Sequence, residues 1–369
     1  MMQKTDIKGL TLLQLRDFAV KLDEAKYRGD QLFDWLYKHK SETFEHISAF
    51  SKTFRDRLGE SAEIGAITCV TEQASKHDGT IKYLFALADG KRIESVLIPP
   101  RRAATVPEEE TRLTICISTQ VGCALDCKFC ATAAMGIIRN LTTGEIVDQV
   151  MQVQKISGRT ITNVVFMGMG EPFMNYDNVM DAVEIISTGL KITARRITVS
   201  TAGVVPKIRQ MADEGRKVKL AISLHTLDDK ARTELMPINA KYPLSTLLDA
   251  AEYYYKKMKQ RITFEYILFD GWNDTNADVA RIVKLSGRIP CKVNIIPFHS
   301  ITFTHPTGLS AQLHPTPARR AAEFVEQLRA RHVTVFTRSS AGEDIDAACG
   351  QLAILDERGR KVSERVIRH

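Results

Sequence analysis

Cys123, Cys127 and Cys130 fall within eight residues as Cys-x3-Cys-x2-Cys. Three thiolates at this spacing can hold an iron–sulfur cluster, and a four-iron cluster needs a ligand on every iron. No fourth cysteine follows closely. One iron would then stay open, so that a small molecule can bind there and receive an electron. Zinc is the competing occupant. It usually takes four Cys or His ligands, with cysteine pairs reading Cys-x2-Cys or Cys-x4-Cys, and the nearest histidines along the chain are His77 and His225. A zinc-stapled RNA-binding module is therefore the non-enzyme alternative. A disulfide framework fits less well, because the chain is long, its seven cysteines are an odd number and no apolar leader opens it.

The elements that would position these cysteines begin at about residue 111, where strand-like and helix-like patterns alternate. Candidate strands are Leu113–Thr119, Asn163–Gly168, Arg196–Thr201, Val218–Leu224, Ile262–Leu268 and Cys291–Pro297, with a short further run at Val333–Thr337. Helical patterns separate most of them, and Thr142 with Glu145 reads as a capping box for one. Alternating β and α units imply a parallel sheet with right-handed crossovers. The fold class is α/β, and six units suit a partial (β/α)6 barrel. Chemistry in such barrels gathers at the C-terminal ends of the strands. The cysteine loop follows the first strand, and Gly168-Met169-Gly170-Glu171-Pro172 follows the second. Ser200 and Thr201 close the third, Ser223 and His225 the fourth, and Pro297-Phe298-His299 follow the sixth. Five segments thus converge on one mouth. Gly170 lets a ligand approach the backbone, and Glu171 can pair with an ammonium group. Ser200, Ser223 and His225 can hydrogen-bond a carboxylate, ribose or adenine.

Upstream, residues 1–58 read as a helical accessory module, with Lys26-Tyr27-Arg28-Gly29-Asp30 breaking two helical runs. Residues 59–110 read as a small β extension with strands at Ile64–Val70, Ile81–Leu87 and Arg92–Ile98, turning at His77-Asp78-Gly79 and Asp89-Gly90. The core is expected over 111–352 and a tail over 353–369, where the stretch from Arg358 to Arg368 is densely basic. Hydrophobic residues make up 44% and charged residues 26%, a soluble globular balance that excludes membrane spans. Cytoplasmic location is the expectation. The net charge of +7 favours a polyanionic partner. Cys69 and Cys291 sit in apolar runs and read as buried fillers. Cys116 lies in the first strand, and Cys349 lies among small residues that suit a mobile segment entering a cavity.

The cysteine spacing resembles that of the radical S-adenosylmethionine (SAM) enzymes. Further segments resemble one family among them, the RlmN dual-specificity RNA methyltransferases, with the Cfr enzymes as cousins. The resemblance rests on Cys116 through Cys130, Gly168 to Pro172, Ser200 to Pro206, Ser223 to His225, Met236-Pro237-Ile238-Asn239 and Asp344 to Leu352. Tyr27-Arg28-Gly29-Asp30-Gln31 resembles the family's helical accessory domain. The resemblance implies a radical SAM barrel, a 4Fe–4S cluster on Cys123, Cys127 and Cys130, and SAM contacts at Gly170, Glu171, Ser200, Ser223, Leu224, His225 and His299. His299 stands where many members carry Asn. The implied reaction methylates C2 of adenine 2503 in 23S ribosomal RNA and of adenine 37 in transfer RNA. That carbon is electron-poor, and two SAM molecules are used. Cys349 takes a methyl group by displacement. A 5′-deoxyadenosyl radical from the second SAM removes hydrogen from it, and the carbon radical adds to the adenine. Cys116 releases the adduct by forming a disulfide with Cys349, and Glu94 matches the family's proton acceptor. An electron donor such as flavodoxin and a monomeric enzyme are expected. Cfr-like methylation at C8 is the alternative enzymatic outcome.

Overall fold

Ten strands form one sheet in this computed structural model, which describes residues 4–100, 112–338 and 340–354. The basic stretch from Arg358 to Arg368 and the junction near 110 lie outside the described residues. The strands are β1 (Thr68–Ala74), β2 (Ile81–Ala86), β3 (Arg92–Ile98), β4 (Thr114–Cys116), β5 (Asn163–Phe166), β6 (Ile197–Thr201), β7 (Lys219–Ser223), β8 (Ile262–Leu268), β9 (Cys291–Pro297) and β10 (Val335–Thr337). Their order in the sheet follows their order in the chain. β4 to β10 pair in parallel. β1 to β3 run antiparallel and join the sheet through β3 against β4.

This is the α/β architecture that the alternation implied, with the short run before Thr337 adding a seventh parallel strand. The row is open, since no pairing links β10 to β4 among the described residues. It curls nonetheless. Arg338, just past β10, places Nη1 3.1 Å from Sδ of Met167, just past β5. The outer strand ends thus close on a cleft. Strand periodicity decides which side chains enter it. In β6, Ile197, Val199 and Thr201 are buried while Thr198 and Ser200 face the other way.

Helices cover the outer face. The Thr143–Ser157 helix starts with the expected capping box. Thr142 Oγ1 accepts from the Glu145 N–H at 3.2 Å, and Glu145 Oε2 accepts from the Thr142 N–H at 2.9 Å. Upstream lie helices Leu12–Lys21, Tyr27–Tyr37 and Lys52–Ser61. Here two expectations change. The break between the first two helices falls at Leu22–Lys26, so Tyr27–Tyr37 already begins inside the stretch expected to separate them. Gly29 is buried, and a Cβ there would sit 2.4 Å from the Arg16 backbone nitrogen. The glycine lets two helices touch; it does not end one. Nor does Ile64 begin a strand. The Gly65 N–H donates to Asp6 Oδ1 at 2.9 Å and the Ile67 N–H to Asp148 Oδ2 at 2.8 Å, so the sheet starts at Thr68. Asp148 also holds Lys8 at 2.8 Å, both nearly fully buried. That pair fastens the N-terminal segment to the Thr143–Ser157 helix.

Candidate active site

The chain leaves β4 into a two-stranded hairpin, Gln120–Gly122 against Ile137–Asn140, whose loop carries the three cysteines. The Cys123 N–H donates to Gly136 O at 2.9 Å and closes the loop's base. Gly122, at φ +77, makes this closure possible, because a Cβ would meet Gly136 O at 1.8 Å. All three thiols line one cleft. Burial pushes Cys123 up to about 12, and drives Cys127 well above and Cys130 above the ordinary thiol range. Alone they stay protonated; a cationic metal centre would displace their protons. Among the described residues no three His, Cys, Asp or Glu side chains gather as ligands of one ion. A four-iron cluster binds each thiolate at a different iron, and three thiols from one loop on a shared cleft fit that donor set.

The cleft opens to solvent and is also lined by Gly170, Glu171, Ser200, Ser223, His225, Glu265, Arg338 and Cys349. Gly170, at φ +95, packs on Gln120, whose Oε1 accepts from the Glu171 N–H at 2.8 Å. Glu171 is buried, which pushes its pKa up to about 7. Its oxygens accept from the Ala202 N–H at 2.7 Å and the Phe173 N–H at 3.0 Å. The carboxylate thereby ties the ends of β5 and β6 together and keeps lone pairs for a ligand. His225 holds φ +57. Its Nδ1 accepts from the Ile267 N–H at 3.1 Å, and burial lowers its pKa to about 3. It is therefore neutral, with its proton on Nε2 as a donor.

Two expected ligand contacts stand apart from the cleft lining. Leu224 is buried; its N–H donates to Glu265 O at 3.0 Å. His299 is buried with Nδ1 3.3 Å from Glu343 Oε1. Cys116 is buried on β4 directly opposite Val96 of β3, and Glu94, two residues before Val96, shares that face. Burial pushes Cys116 up to about 12 and Glu94 up to about 7, the latter against the pull of Lys82 at 3.4 Å. All seven cysteines are free thiols.

Two arginines escaped the sequence reading. Arg338 is held charged first by Cys349, then by Glu265 and Cys116, against its burial. It places a cation beside the Cys349 and Cys116 thiols. Arg232 donates to Leu224 O, Ala202 O, Ser223 O and Asn239 Oδ1 at 3.2, 2.8, 3.0 and 2.8 Å. Neither lies in a motif, since each acts on partners brought near only by folding.

A model of the radical SAM superfamily matches residues 117–285, and one of the ribosomal RNA large subunit methyltransferase N-terminal domain matches residues 5–64. A probable dual-specificity RNA methyltransferase RlmN from Flavobacterium johnsoniae is 41% identical, over 95% of this chain and 97% of its own. The dual-specificity RNA methyltransferase RlmN of Geobacter sulfurreducens is 45% identical, over 94% and 91%. The crystal structure of a radical SAM methyltransferase from Sphaerobacter thermophilus, 40% identical, superposes with a TM-score of 0.83 over 94% of this chain and 99% of that one. The chain belongs to the RlmN family of dual-specificity RNA methyltransferases, radical SAM enzymes that use a 4Fe–4S cluster and SAM.

Proposed function

We propose that this chain methylates C2 of an adenine in 23S ribosomal RNA and in transfer RNA, with Cys349 as the methyl carrier. One observation carries the reading: Cys349 lines the same cleft as Cys123, Cys127 and Cys130, with Arg338 beside it. In the first half-reaction the Cys349 sulfur bonds to the methyl carbon of SAM as the sulfonium–carbon bond breaks. The thiol proton passes to solvent through the open cleft, and Arg338 stabilises the thiolate that attacks. Cys123, Cys127 and Cys130 would hold the cluster, with SAM at the iron they leave free. Together these supply, when bound, the one-electron chemistry that removes a hydrogen atom from a methyl group.

The remaining steps fall to the chain's own residues. Cys349 presents the activated methyl carbon to the adenine. Glu94, uncharged below about pH 7, takes the C2 proton once ionised. After the adduct has given up one electron and the C2 proton, Cys116 attacks the Cys349 sulfur as a thiolate. The disulfide forms as the sulfur–carbon bond breaks, and the electron pair of that bond passes to the methylene carbon. That carbon takes a proton from solvent, which leaves a methyl group on the RNA. An external thiol reductant then restores both cysteines. Gly170, Glu171, Ser200, Ser223, Leu224, His225 and His299 bind or align SAM in this reading. Glu171 receives the ammonium, and the neutral His225 donates from Nε2. Residues 1–58 contact RNA as an accessory module, 59–110 extend the sheet, 111–352 form the core and 353–369 a tail. The enzyme works as a cytoplasmic monomer with a donor such as flavodoxin. No described helix is long and apolar enough to cross a membrane.

The test is an anaerobic assay with reductant, labelled SAM and unmodified RNA, followed by mass spectrometry of the RNA digest. Methyl at C2 supports the proposal, and methyl only at C8 contradicts it. Cys116→Ala should accumulate a covalent protein–RNA adduct.

A further inference from the structure

We propose that the turn between β1 and β2 is a clamp that positions Cys349, with Asp78 and Asp344 as its two positioning residues. This rests on the reading of Cys349 as methyl carrier. Residues 340–354 carry only one turn of 3-10 helix, Glu343–Ile345, so little of their own structure fixes them. Their placement comes from outside. The Gly342 N–H donates to Asp78 Oδ2 at 3.0 Å, and in return the Lys76 N–H donates to Asp344 Oδ2 at 3.0 Å. Lys82 Nζ adds a bond to Asp346 O at 3.3 Å. Gly342, at φ +69, is pressed so close that a Cβ would sit 2.8 Å from Thr80 Cγ2. These contacts join residues more than 260 apart in sequence.

A second fastening lies beyond Cys349. The Ala131 N–H, next to Cys130, donates to Gly350 O at 2.7 Å, and Gln351 Nε2 donates to Ser300 O at 3.2 Å. Cys349 therefore sits on a short span pinned at both ends. The downstream pin is the cysteine loop itself; the upstream pin is the clamp. Releasing the clamp leaves Cys349 tethered on one side only, so the fraction of time its sulfur occupies the reactive position falls. SAM binding, which uses the strand ends, is untouched. Oxygen geometry shows why Asp serves at position 78. Its Oδ1 accepts from the Thr80 N–H at 2.9 Å and shapes the turn, while Oδ2 reaches Gly342. One side chain builds the jaw and closes it.

Asp78→Asn separates the two tasks. Its amide oxygen can keep the Thr80 bond, but its NH2 group would face the Gly342 N–H and cannot accept from it. Hydrogen exchange by mass spectrometry on the reconstituted enzyme should show amides of 340–350 exchanging roughly tenfold faster, the effect of losing one charge-assisted bond. kcat should fall by a similar factor while KM for SAM and the iron and sulfide content hold. Asp344→Asn should reproduce both effects from the other jaw. Unchanged exchange in both variants, unchanged kcat despite faster exchange, or a rise confined to KM would overturn the clamp. Cys349→Ala run alongside separates the failures. Its inactivity beside a fully active Asp78→Asn defeats the clamp alone, whereas its full activity defeats the methyl-carrier reading and the clamp with it.

Discussion

Arg232→Lys is the perturbation that the fold singles out. Arg232 is 1% exposed and its planar fork reaches four acceptors. Three of them are carbonyls at the C-terminal ends of β6 and β7, the ends that present Ser200 and Ser223 to the cleft. Burial pulls the guanidinium pKa from 12.5 to about 10, which corresponds to about 3 kcal/mol. The hydrogen bonds offset this in the native chain. Lysine keeps the charge, but its compact ammonium cannot reach Ala202, Ser223 and Asn239 at once. At least two acceptors lose their partner at about 1–3 kcal/mol each. The variant should therefore unfold with about 2–6 kcal/mol less stability, read by urea unfolding with tryptophan fluorescence. KM for SAM should rise with it, because the strand ends lose their common anchor. A loss under about 0.5 kcal/mol, with KM unchanged, would refute the reasoning.

Gly170→Ala places a Cβ 2.5 Å from Gln120 Cβ at a backbone φ of +95. It should cost about 1–3 kcal/mol and raise KM for SAM, measured by thermal unfolding and steady-state kinetics. Glu94 has its folded pKa raised from 4.5 to about 7 by burial, so the folded state binds a proton that the unfolded chain releases. Its contribution is complete below the unfolded value and is lost as pH rises through about 7, a span worth about 3 kcal/mol. Glu94→Gln should thus gain stability relative to the parent between about pH 5 and about pH 8. Unfolding curves at the two pH values check the sign, and a parallel pH dependence in both proteins would remove Glu94 as the cause.

Local pattern made the strands, the Thr142 cap and the meeting of four of the five expected segments at one cleft legible. These depend on periods of two and on residues three apart. The cysteine loop was legible because its three cysteines are neighbours in the chain. What folding adds was not. Gly29 read as a breaker because nothing local shows Arg16 lying against it. The stretch at Ile64 read as a strand because its real partners, Asp6 and Asp148, are remote. Arg232, Arg338 and the Asp78–Asp344 clamp likewise join distant segments. The sequence named His225 as a candidate, but its neutral state follows only from burial and from the Ile267 N–H that occupies Nδ1.

The most direct measurement is peptide mapping of the reconstituted enzyme after incubation with methyl-labelled SAM. The account predicts label on the peptide containing Cys349, and its passage to RNA when adenine substrate and reductant are added. A labelled RNA product formed while Cys349 never carries the methyl group would contradict it.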